Sequence, residues 1–322
     1  MKKWFKRILY ILVTLFVLFN ILIAMQAYHA TRFYDSSAGT TAKRRLSDMS
    51  TGEKLNAALF GVKVPKRIVV DTLAVPHINI TLKTEDGLTL AGWYALNKGT
   101  VAVPAKGTII MFHGHADCRN GIIKEAEAFY AMGYSLLMVD FRAHGQSSGN
   151  ACTIGYEEAK DVKAAYDYVI AEGEKNIVLW GVSLGASTII KAVHDYTLKP
   201  SKVILEMPFG SLFDAVKGFT RINHVPEEPI AVLLTFWGGA EHGFWAFGMK
   251  PQEFARSLQC PVLLQRGEND VRVTEGETQE IYKNITVADK TLVEYANCGH
   301  ESLYRKDSVK WTQTVTRFLG NR

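Results

Sequence analysis

Residues 177–186, with the sequence Ile-Val-Leu-Trp-Gly-Val-Ser-Leu-Gly-Ala, decide the fold prediction. The first four residues are apolar and predict a buried strand, and the residues that follow predict a helix. Gly181 and Gly185 flank Ser183 in the pattern G-x-S-x-G. In a sharp turn between a strand and a helix, a serine hydroxyl is exposed above the edge of the sheet. We therefore predict that Ser183 is a nucleophile.

The same pattern occurs a second time, around Ser147. Here Gly149, Asn150 and Gly155 follow the serine, and this composition is typical of a loop. Because no helix follows, we predict that Ser147 is a turn residue without a chemical role.

Segments typical of strands and helices alternate on both sides of the Ser183 turn. The predicted strands are 77–83, 88–95, 108–112, 134–140, 176–180, 202–207, 261–266 and 290–295, and the predicted helices are 47–59, 119–132, 156–171, 184–196, 275–284 and 308–319. This order predicts an α/β fold in which helices cover both faces of a mostly parallel sheet. The turn 85–87 predicts a hairpin between the first two strands.

The alternation is interrupted at residues 208–257, a stretch rich in Phe and Trp. Open α/β sheets bind their ligands at the carboxyl edge of the strands. We predict that this stretch is a lid inserted over that edge, after the sixth strand. Its aromatic residues indicate either an apolar acyl or aromatic group in the substrate or ordinary packing within the lid.

A serine hydroxyl needs a base to remove its proton and an acid to orient the base. In folds with this turn, the chain order is nucleophile, acid, base. Asp270 and His300 each follow a predicted strand downstream of Ser183, so we predict that they are the acid and the base. Glu268 and Glu206 are lesser candidates for the acid.

An oxyanion hole supplies backbone N–H groups where negative charge develops. One predicted donor is Leu184, the residue after the nucleophile. The other is His115, in the loop after the strand 108–112, where Gly114 permits a tight turn.

Together these segments resemble the α/β-hydrolases. The resemblance is strongest to the hydrolases related to prolyl oligopeptidase and serine aminopeptidase, and it covers roughly Ile68 to the C-terminus. The segments that support it are His113–His115, Asp140–Ser147, Gly181–Gly185, Gly267–Asp270 and Gly299–His300. The resemblance implies an eight-stranded core, a variable lid, no cofactor and no metal. It also implies hydrolysis of an ester, thioester or amide. Asp140–Ser147 matches a structural loop, so we assign it no chemistry.

His113, His115 and Asp117 also fit the metal-ligand pattern H-x-H-x-D, which indicates an alternative. Metal hydrolases with such ligands activate water on Zn²⁺. The next residue is Cys118, where a further histidine is expected. A metal-dependent hydrolase is therefore the weaker hypothesis, and a serine enzyme should be insensitive to EDTA.

The N-terminal segment 8–28 contains no charged residue and predicts a membrane anchor. About 20 residues at ~1.5 Å each cover a hydrocarbon core of roughly 30 Å. A cleaved signal peptide is the alternative, but its apolar region usually has only about 7–15 residues. We predict an uncleaved, single-pass anchor in the lipid bilayer.

Basic residues before the anchor predict its orientation. Lys2, Lys3, Lys6 and Arg7 should hold the N-terminus in the cytoplasm, which places the catalytic domain outside it. Arg32 and the cluster 43–45 weaken this asymmetry. The predicted units are 1–28 (basic flank and anchor), 29–66 (tether and short helix) and 67–322 (α/β-hydrolase domain, with the lid at 208–257).

The net charge of +5 is mild and concentrated beside the anchor, so no nucleic-acid partner is expected. Four cysteines in a chain of 322 residues do not form a disulfide scaffold. Cys118 and Cys152 follow neighbouring strands, so a bridge between them is one hypothesis and free thiols are the other.

The combined prediction is a membrane-anchored serine hydrolase that forms an acyl-enzyme on Ser183. Its substrate is a small ester or a peptide. A carboxylesterase (EC 3.1.1.-) is preferred, and a peptidase or amidase of the same fold is the alternative.

Overall fold

A computed structural model describes residues 3–35, 49–99 and 105–320. The helices are α1 (Lys3–Ala30), α2 (Thr51–Phe60), α3 (Ile123–Ala131), α4 (Ala159–Ala171), α5 (Leu184–Tyr196), α6 (Leu212–Ile222), α7 (Ile230–His242), α8 (Pro251–Phe254), α9 (Glu275–Asn284), α10 (Leu303–Lys306) and α11 (Ser308–Gly320). The strands are β1 (Phe33–Tyr34), β2 (Val64–Pro65), β3 (Ile78–Lys83), β4 (Thr89–Ala95), β5 (Thr108–Phe112), β6 (Ser135–Val139), β7 (Ile177–Val182), β8 (Lys202–Glu206), β9 (Val262–Gly267) and β10 (Lys290–Tyr295).

Eight strands form one sheet in the order β10-β9-β8-β7-β5-β6-β4-β3. Every neighbouring pair is parallel except those of β4, which runs antiparallel to both β3 and β6. The predicted mostly parallel, eight-stranded sheet is therefore confirmed. The predicted hairpin is also found: Thr84 N–H donates to the Leu88 carbonyl at 3.0 Å across the turn.

Two apolar clusters cover the two faces of the sheet. Leu179 of β7 belongs to the cluster that includes residues of α4 and α5. Its neighbours Val178 and Trp180 belong to the other cluster, with Phe129 of α3 and Trp311 of α11. Successive strand residues point to opposite faces, so strands buried on both faces are apolar throughout. This explains why the central strands lack alternation of polar and apolar residues.

The predicted insertion 208–257 contains α6, α7 and α8, and it connects β8 to β9. The sequence indicated the break in the alternation but not these helices. The Ser211 side chain caps α6 by accepting the N–H of Asp214 at 3.0 Å.

Helix α1 has an exposed apolar N-terminal part and a packed C-terminal part. Its 28 residues span about 42 Å at ~1.5 Å per residue, and this long apolar helix fits a membrane anchor. Ile23 and Ala27, near its end, are buried. The end of α1 packs against α7 and α2, and Trp237 of α7 donates its indole N–H to Asn20 Oδ1 at 3.3 Å.

The connection after the anchor differs from the expected tether where the structure describes it. Phe33 N–H donates to the Asn150 carbonyl, and Cys152 N–H donates to the Thr31 carbonyl, both at 2.8 Å. Strand β1 also pairs in parallel with β2. Residues 36–48 of the expected tether lie outside the described residues. The short helix begins at Thr51, later than predicted, because the Ser50 side chain accepts the N–H of Glu53 and caps it.

All four cysteines are free thiols, so the hypothetical Cys118–Cys152 bridge is not formed. Cys152 is packed in the core cluster that contains Phe33, whereas the Cys118 thiol donates to Asn120 Oδ1 at 3.8 Å. Burial raises the pKa of Cys118 to about 12.

Candidate active site

Ser183 lies in the sharp turn between β7 and α5. Its backbone has φ +54° and ψ −112°, in a region that residues with a Cβ rarely adopt. Such a conformation costs on the order of 1–3 kcal/mol and persists where the surrounding structure enforces it. Ser183 N–H donates to the Glu206 carbonyl at 2.7 Å, which ties the turn to the end of β8.

The two flanking glycines make this turn possible. A Cβ on Gly181 would lie 2.5 Å from the carbonyl carbon of Gly185. A Cβ on Gly185 would lie 2.3 Å from the carbonyl oxygen of Phe112 in β5. Both distances are far inside van der Waals contact, so the close approach of strand and helix requires glycine at both positions.

The structure brings Ser183, His300 and Asp270 into one chain of hydrogen bonds. His300 Nε2 lies 2.9 Å from Ser183 Oγ, and His300 Nδ1 lies 2.7 Å from Asp270 Oδ2. Because a carboxylate only accepts, Nδ1 carries the proton and Nε2 can accept the serine proton. These three residues follow β7, β10 and β9, whose parallel carboxyl ends meet at one edge of the sheet.

Asp270 is oriented by the backbone of its own loop. Its Oδ1 accepts the N–H groups of Arg272 at 2.8 Å and Val273 at 2.9 Å, which leaves Oδ2 directed at His300. The Asp270 side chain is buried, and the His300 side chain is partly exposed. A fixed, buried carboxylate can hold an imidazole in one tautomer and one orientation.

The lesser acid candidates have other contacts. Glu206 Oε1 accepts the indole N–H groups of Trp180 at 3.0 Å and Trp311 at 2.7 Å. Glu268 is exposed, and its Oε2 accepts the Asn297 N–H at 3.3 Å. The carboxylate that the structure places against the histidine is that of Asp270.

Ser147, in the second G-x-S-x-G pattern, is buried in a hydrogen-bonded turn. Its hydroxyl donates to the Asp140 carbonyl at 2.6 Å and accepts the Ala91 N–H at 3.0 Å. The prediction of a structural serine is confirmed.

The loop that contains His115 passes close to Ser183, and Leu184 follows it in sequence. A Cβ built on Gly114 would be 3.7 Å from Ser183 Cβ, so the loop after β5 passes directly over the serine. Leu184 opens α5, and N–H groups in the first turn of a helix have no acceptor within that helix. The arrangement is suitable for two donors, His115 N–H and Leu184 N–H, and their role stays a prediction.

The residues of the alternative metal pattern do not converge. His113 Nδ1 donates to the Gly114 carbonyl at 2.7 Å, and His113 Nε2 accepts the Phe141 N–H at 3.1 Å, so both ring nitrogens are occupied. Asp117 forms an ion pair with Arg67. Among residues 3–35, 49–99 and 105–320, no group of three or more His, Cys, Asp or Glu side chains could hold a metal ion.

No sequence pattern indicated that Phe33 packs against the loop after β5. The Phe33 ring, almost fully buried, lies 5.3 Å from the His115 ring and 4.5 Å from the His144 ring, measured between centroids. His144 Nε2 in turn accepts the Ala116 N–H at 3.1 Å. A two-residue strand shortly after a membrane anchor has no periodicity that could have indicated this contact.

Comparisons with known sequences find similarity to a hydrolase family model, to a lipase and to an uncharacterized protein. The family model for "Serine aminopeptidase, S33" matches residues 103–232. Lysophosphatidylserine lipase ABHD12 of Xenopus tropicalis is 24% identical over 233 residues, which are 66% of this chain and 57% of that protein. The chain thus spans little more than half the length of the frog protein. Protein Rv2307c of Mycobacterium tuberculosis is 28% identical over 244 residues, 75% of this chain and 78% of that protein.

Comparisons with solved structures agree on the fold. The Pyrococcus furiosus esterase Pf2001 has a TM-score of 0.64 at 24% identity and covers 79% of this chain and 96% of its own. The esterase EaEST of Exiguobacterium antarcticum has a TM-score of 0.57 at 16% identity, with 76% and 100% covered.

Proposed function

We propose that this chain, which has the α/β-hydrolase fold, is a serine hydrolase that cleaves a carboxylic ester through an acyl-enzyme on Ser183. The observation that supports this proposal best is the hydrogen-bonded chain from Ser183 Oγ through His300 to Asp270, at 2.9 and 2.7 Å. The strained backbone of Ser183 supports it independently, because strain of this kind is concentrated at functional sites.

In the proposed mechanism, Ser183 Oγ attacks the ester carbonyl carbon while His300 Nε2 accepts the hydroxyl proton. Asp270 stabilises the imidazolium that forms, without taking its proton. The imidazolium then protonates the leaving alkoxide, and the alcohol departs. His300 next takes a proton from water, whose oxygen attacks the acyl-enzyme. The imidazolium then protonates Ser183 Oγ as the acyl C–O bond breaks, which releases the acid product and restores free Ser183.

Negative charge develops on the carbonyl oxygen in both steps. The N–H groups of Leu184 and His115 are the proposed donors to this oxygen. Loss of one such donor typically raises the barrier by ~2.7–4 kcal/mol. Because both donors belong to the backbone, they are held by the serine turn and by the loop after β5, and side-chain substitutions test them only indirectly.

An ester is preferred over an amide as the substrate. The frog relative carries the name of a lipase, and the two structural neighbours are esterases. The insertion that follows β8 exposes apolar side chains, which also suits an acyl group. A serine peptidase or amidase is the second candidate, because the matching family model is that of a serine aminopeptidase.

Helix α1 is the proposed membrane anchor, with the N-terminus in the cytoplasm and the catalytic domain outside it. The basic flank Lys3, Lys6 and Arg7 supports this orientation. Protease added to sealed vesicles whose extracytoplasmic side faces outwards should then digest the catalytic domain. Full protection of the domain would show that it lies on the cytoplasmic side.

The experiment that tests the function uses the full chain in detergent micelles. Hydrolysis is measured on p-nitrophenyl esters of graded acyl length and on the matching p-nitroanilides. We expect the esters to be cleaved faster, and we expect Ser183→Ala to lower kcat by at least about 10³-fold. Ser147→Ala, which changes the serine of the second pattern, is the matched control and should stay active. Equal activity in Ser183→Ala and the parent chain would refute the proposal.

A further inference from the structure

A groove of about 640 Å³ lies between the anchor α1 and helix α7 of the insertion. Phe16, Ile21 and Ala24 of α1 form one wall, and Trp237 of α7 belongs to the other. This volume is in the range of small-molecule sites, about 300–1,000 Å³. The lining is predominantly apolar, so the groove suits a hydrocarbon group.

The polar atoms of this region gather at the C-terminal end of α1. His29 and Glu241 line the groove there, and Glu241 Oε2 lies 3.6 Å from Arg32 Nη1. Within the part of the chain that the structure describes, His29 Nδ1, Arg32 Nη1 and Glu241 Oε2 are buried without a hydrogen-bond partner. The Arg32–Glu241 ion pair is too long for a hydrogen bond, so a polar ligand group that supplied hydrogen bonds at this end would be stabilised.

The surroundings of the groove indicate where its ligand would come from. The groove residues of α1 lie within the uncharged segment 8–28, whose length suits a bilayer and whose side chains are mostly exposed. Val232 and Phe236 of α7 are exposed as well. A groove whose wall is the proposed membrane anchor would be accessible to lipid acyl chains.

Tyr28, Arg32 and Phe33 connect the end of the groove to the loop after β5. The Arg32 guanidinium carbon lies 3.8 Å from the centre of the Tyr28 ring, which lines the groove. The next residue, Phe33, packs against His115 in the loop that passes over Ser183. The groove and the loop after β5 are thus linked through the consecutive residues Arg32 and Phe33.

We propose that the groove between α1 and α7 binds the acyl chain of a bilayer lipid, with the polar part of that lipid at Arg32 and Glu241. The anchor thus forms half of a substrate site, and lipid reaches the site from within the membrane. This inference rests on the proposed function and deepens it, because it assigns the acyl group to a site.

The test compares two esters in the same phosphatidylcholine vesicles that contain the full chain. One is monoolein, which resides in the bilayer, and the other is water-soluble p-nitrophenyl butyrate. Ala24→Trp fills the groove, and we expect it to lower the ratio of monoolein to butyrate turnover about tenfold. Leu15→Trp places the same side chain at an exposed position of α1 that does not line the groove, and it should leave the ratio unchanged.

A second measurement tests lipid binding in the groove without requiring hydrolysis. Ser183→Ala is mixed with a monoacylglycerol that carries a diazirine in its chain, and the crosslinks are mapped by mass spectrometry. We expect the peptide that contains Trp237 to be labelled. Excess monoolein should displace this labelling. Ala24→Trp should reduce it, whereas Leu15→Trp should not. If the parent chain hydrolyses neither ester, the proposed function fails, and the labelling alone then shows whether the groove binds an acyl chain. An unchanged turnover ratio in Ala24→Trp, or labelling that monoolein does not displace, would overturn the inference.

Discussion

At the scale of single residues, Glu206 links the serine turn to the core. Its carbonyl accepts the Ser183 N–H, and its buried carboxyl accepts the indole N–H groups of Trp180 and Trp311. Burial raises the pKa of this carboxyl to about 8, and repulsion from Glu125 contributes in the same direction. Near pH 7 the Glu206 side chain is therefore mainly a neutral acid, and it becomes a buried charge above pH 8.

Stability should consequently fall as the pH rises. The folded-state pKa of about 8 exceeds the ordinary value of 4.5, so the folded chain keeps a proton that the unfolded chain releases. The stabilisation from this group is complete below pH 4.5 and is lost towards pH 8. We predict that Glu206→Gln, neutral at every pH, removes this loss. The difference in the free energy of unfolding between Glu206→Gln and the parent should shift in favour of the variant by about 1 kcal/mol or more from pH 5 to pH 8.

Denaturant unfolding of both chains in detergent micelles at pH 5 and pH 8 measures this difference. Glu268→Gln, which removes a carboxyl from an exposed loop, controls for the change in net charge. A difference between Glu206→Gln and the parent that does not vary with pH would contradict the prediction.

The candidate site could largely be assembled from the sequence. Ser183, Asp270 and His300 each follow a strand, and parallel strands bring their carboxyl ends to one edge, so their proximity was predictable. The environment of Glu206 was not, because Trp311 is distant in sequence and no pattern places its indole against that carboxyl. From the sequence alone, Glu206 could therefore be predicted only as a lesser candidate for the catalytic acid.

At the scale of elements, the short strand β1 connects the anchor to the site. Its residue Phe33 pairs with the backbone at Asn150, and its ring packs against His115 and His144. The larger elements were predictable from their length and apolar pattern, with bounds that differ by a few residues. A two-residue strand and the helices of the insertion were not, since their form depends on contacts between distant segments.

We predict that Phe33 is a positioning residue for the oxyanion loop. Phe33→Ala should lower kcat for p-nitrophenyl butyrate about tenfold and change KM less than about twofold, because the support of the loop is lost while the substrate pocket remains. Phe33→Leu keeps most of the apolar volume and should restore most of the activity. Steady-state kinetics on the full chain measures the effect.

Such a core substitution also costs about 3–5 kcal/mol of stability, so the assay is run well below the measured Tm of each variant. Tyr34→Ala, at the next and less buried side chain of β1, is the control and should change kcat little. An equal loss of kcat in both variants, or no loss in Phe33→Ala, would show that Phe33 does not position the loop.

At the scale of the whole molecule, the anchor and the insertion are packed together. Helix α1 contacts α7, and the residues after α1 pair with the loop at 150–152. The described start of the connection after α1 is therefore held against the domain. The insertion also exposes large apolar side chains, namely Phe219, Ile222, Val232, Phe236 and Trp245. Exposed apolar groups of this size are typical of surfaces that contact lipid or a partner. Together these features favour an enzyme that works at the bilayer surface.

The central claim, that Ser183 is an activated nucleophile, is tested most directly by covalent labelling. The full chain in detergent micelles is treated with a fluorophosphonate, digested, and mapped by mass spectrometry. We predict one adduct, on the peptide that contains Ser183, which is absent in Ser183→Ala and forms much more slowly in His300→Gln. An adduct on Ser147, or no adduct on a chain that remains folded, would contradict it.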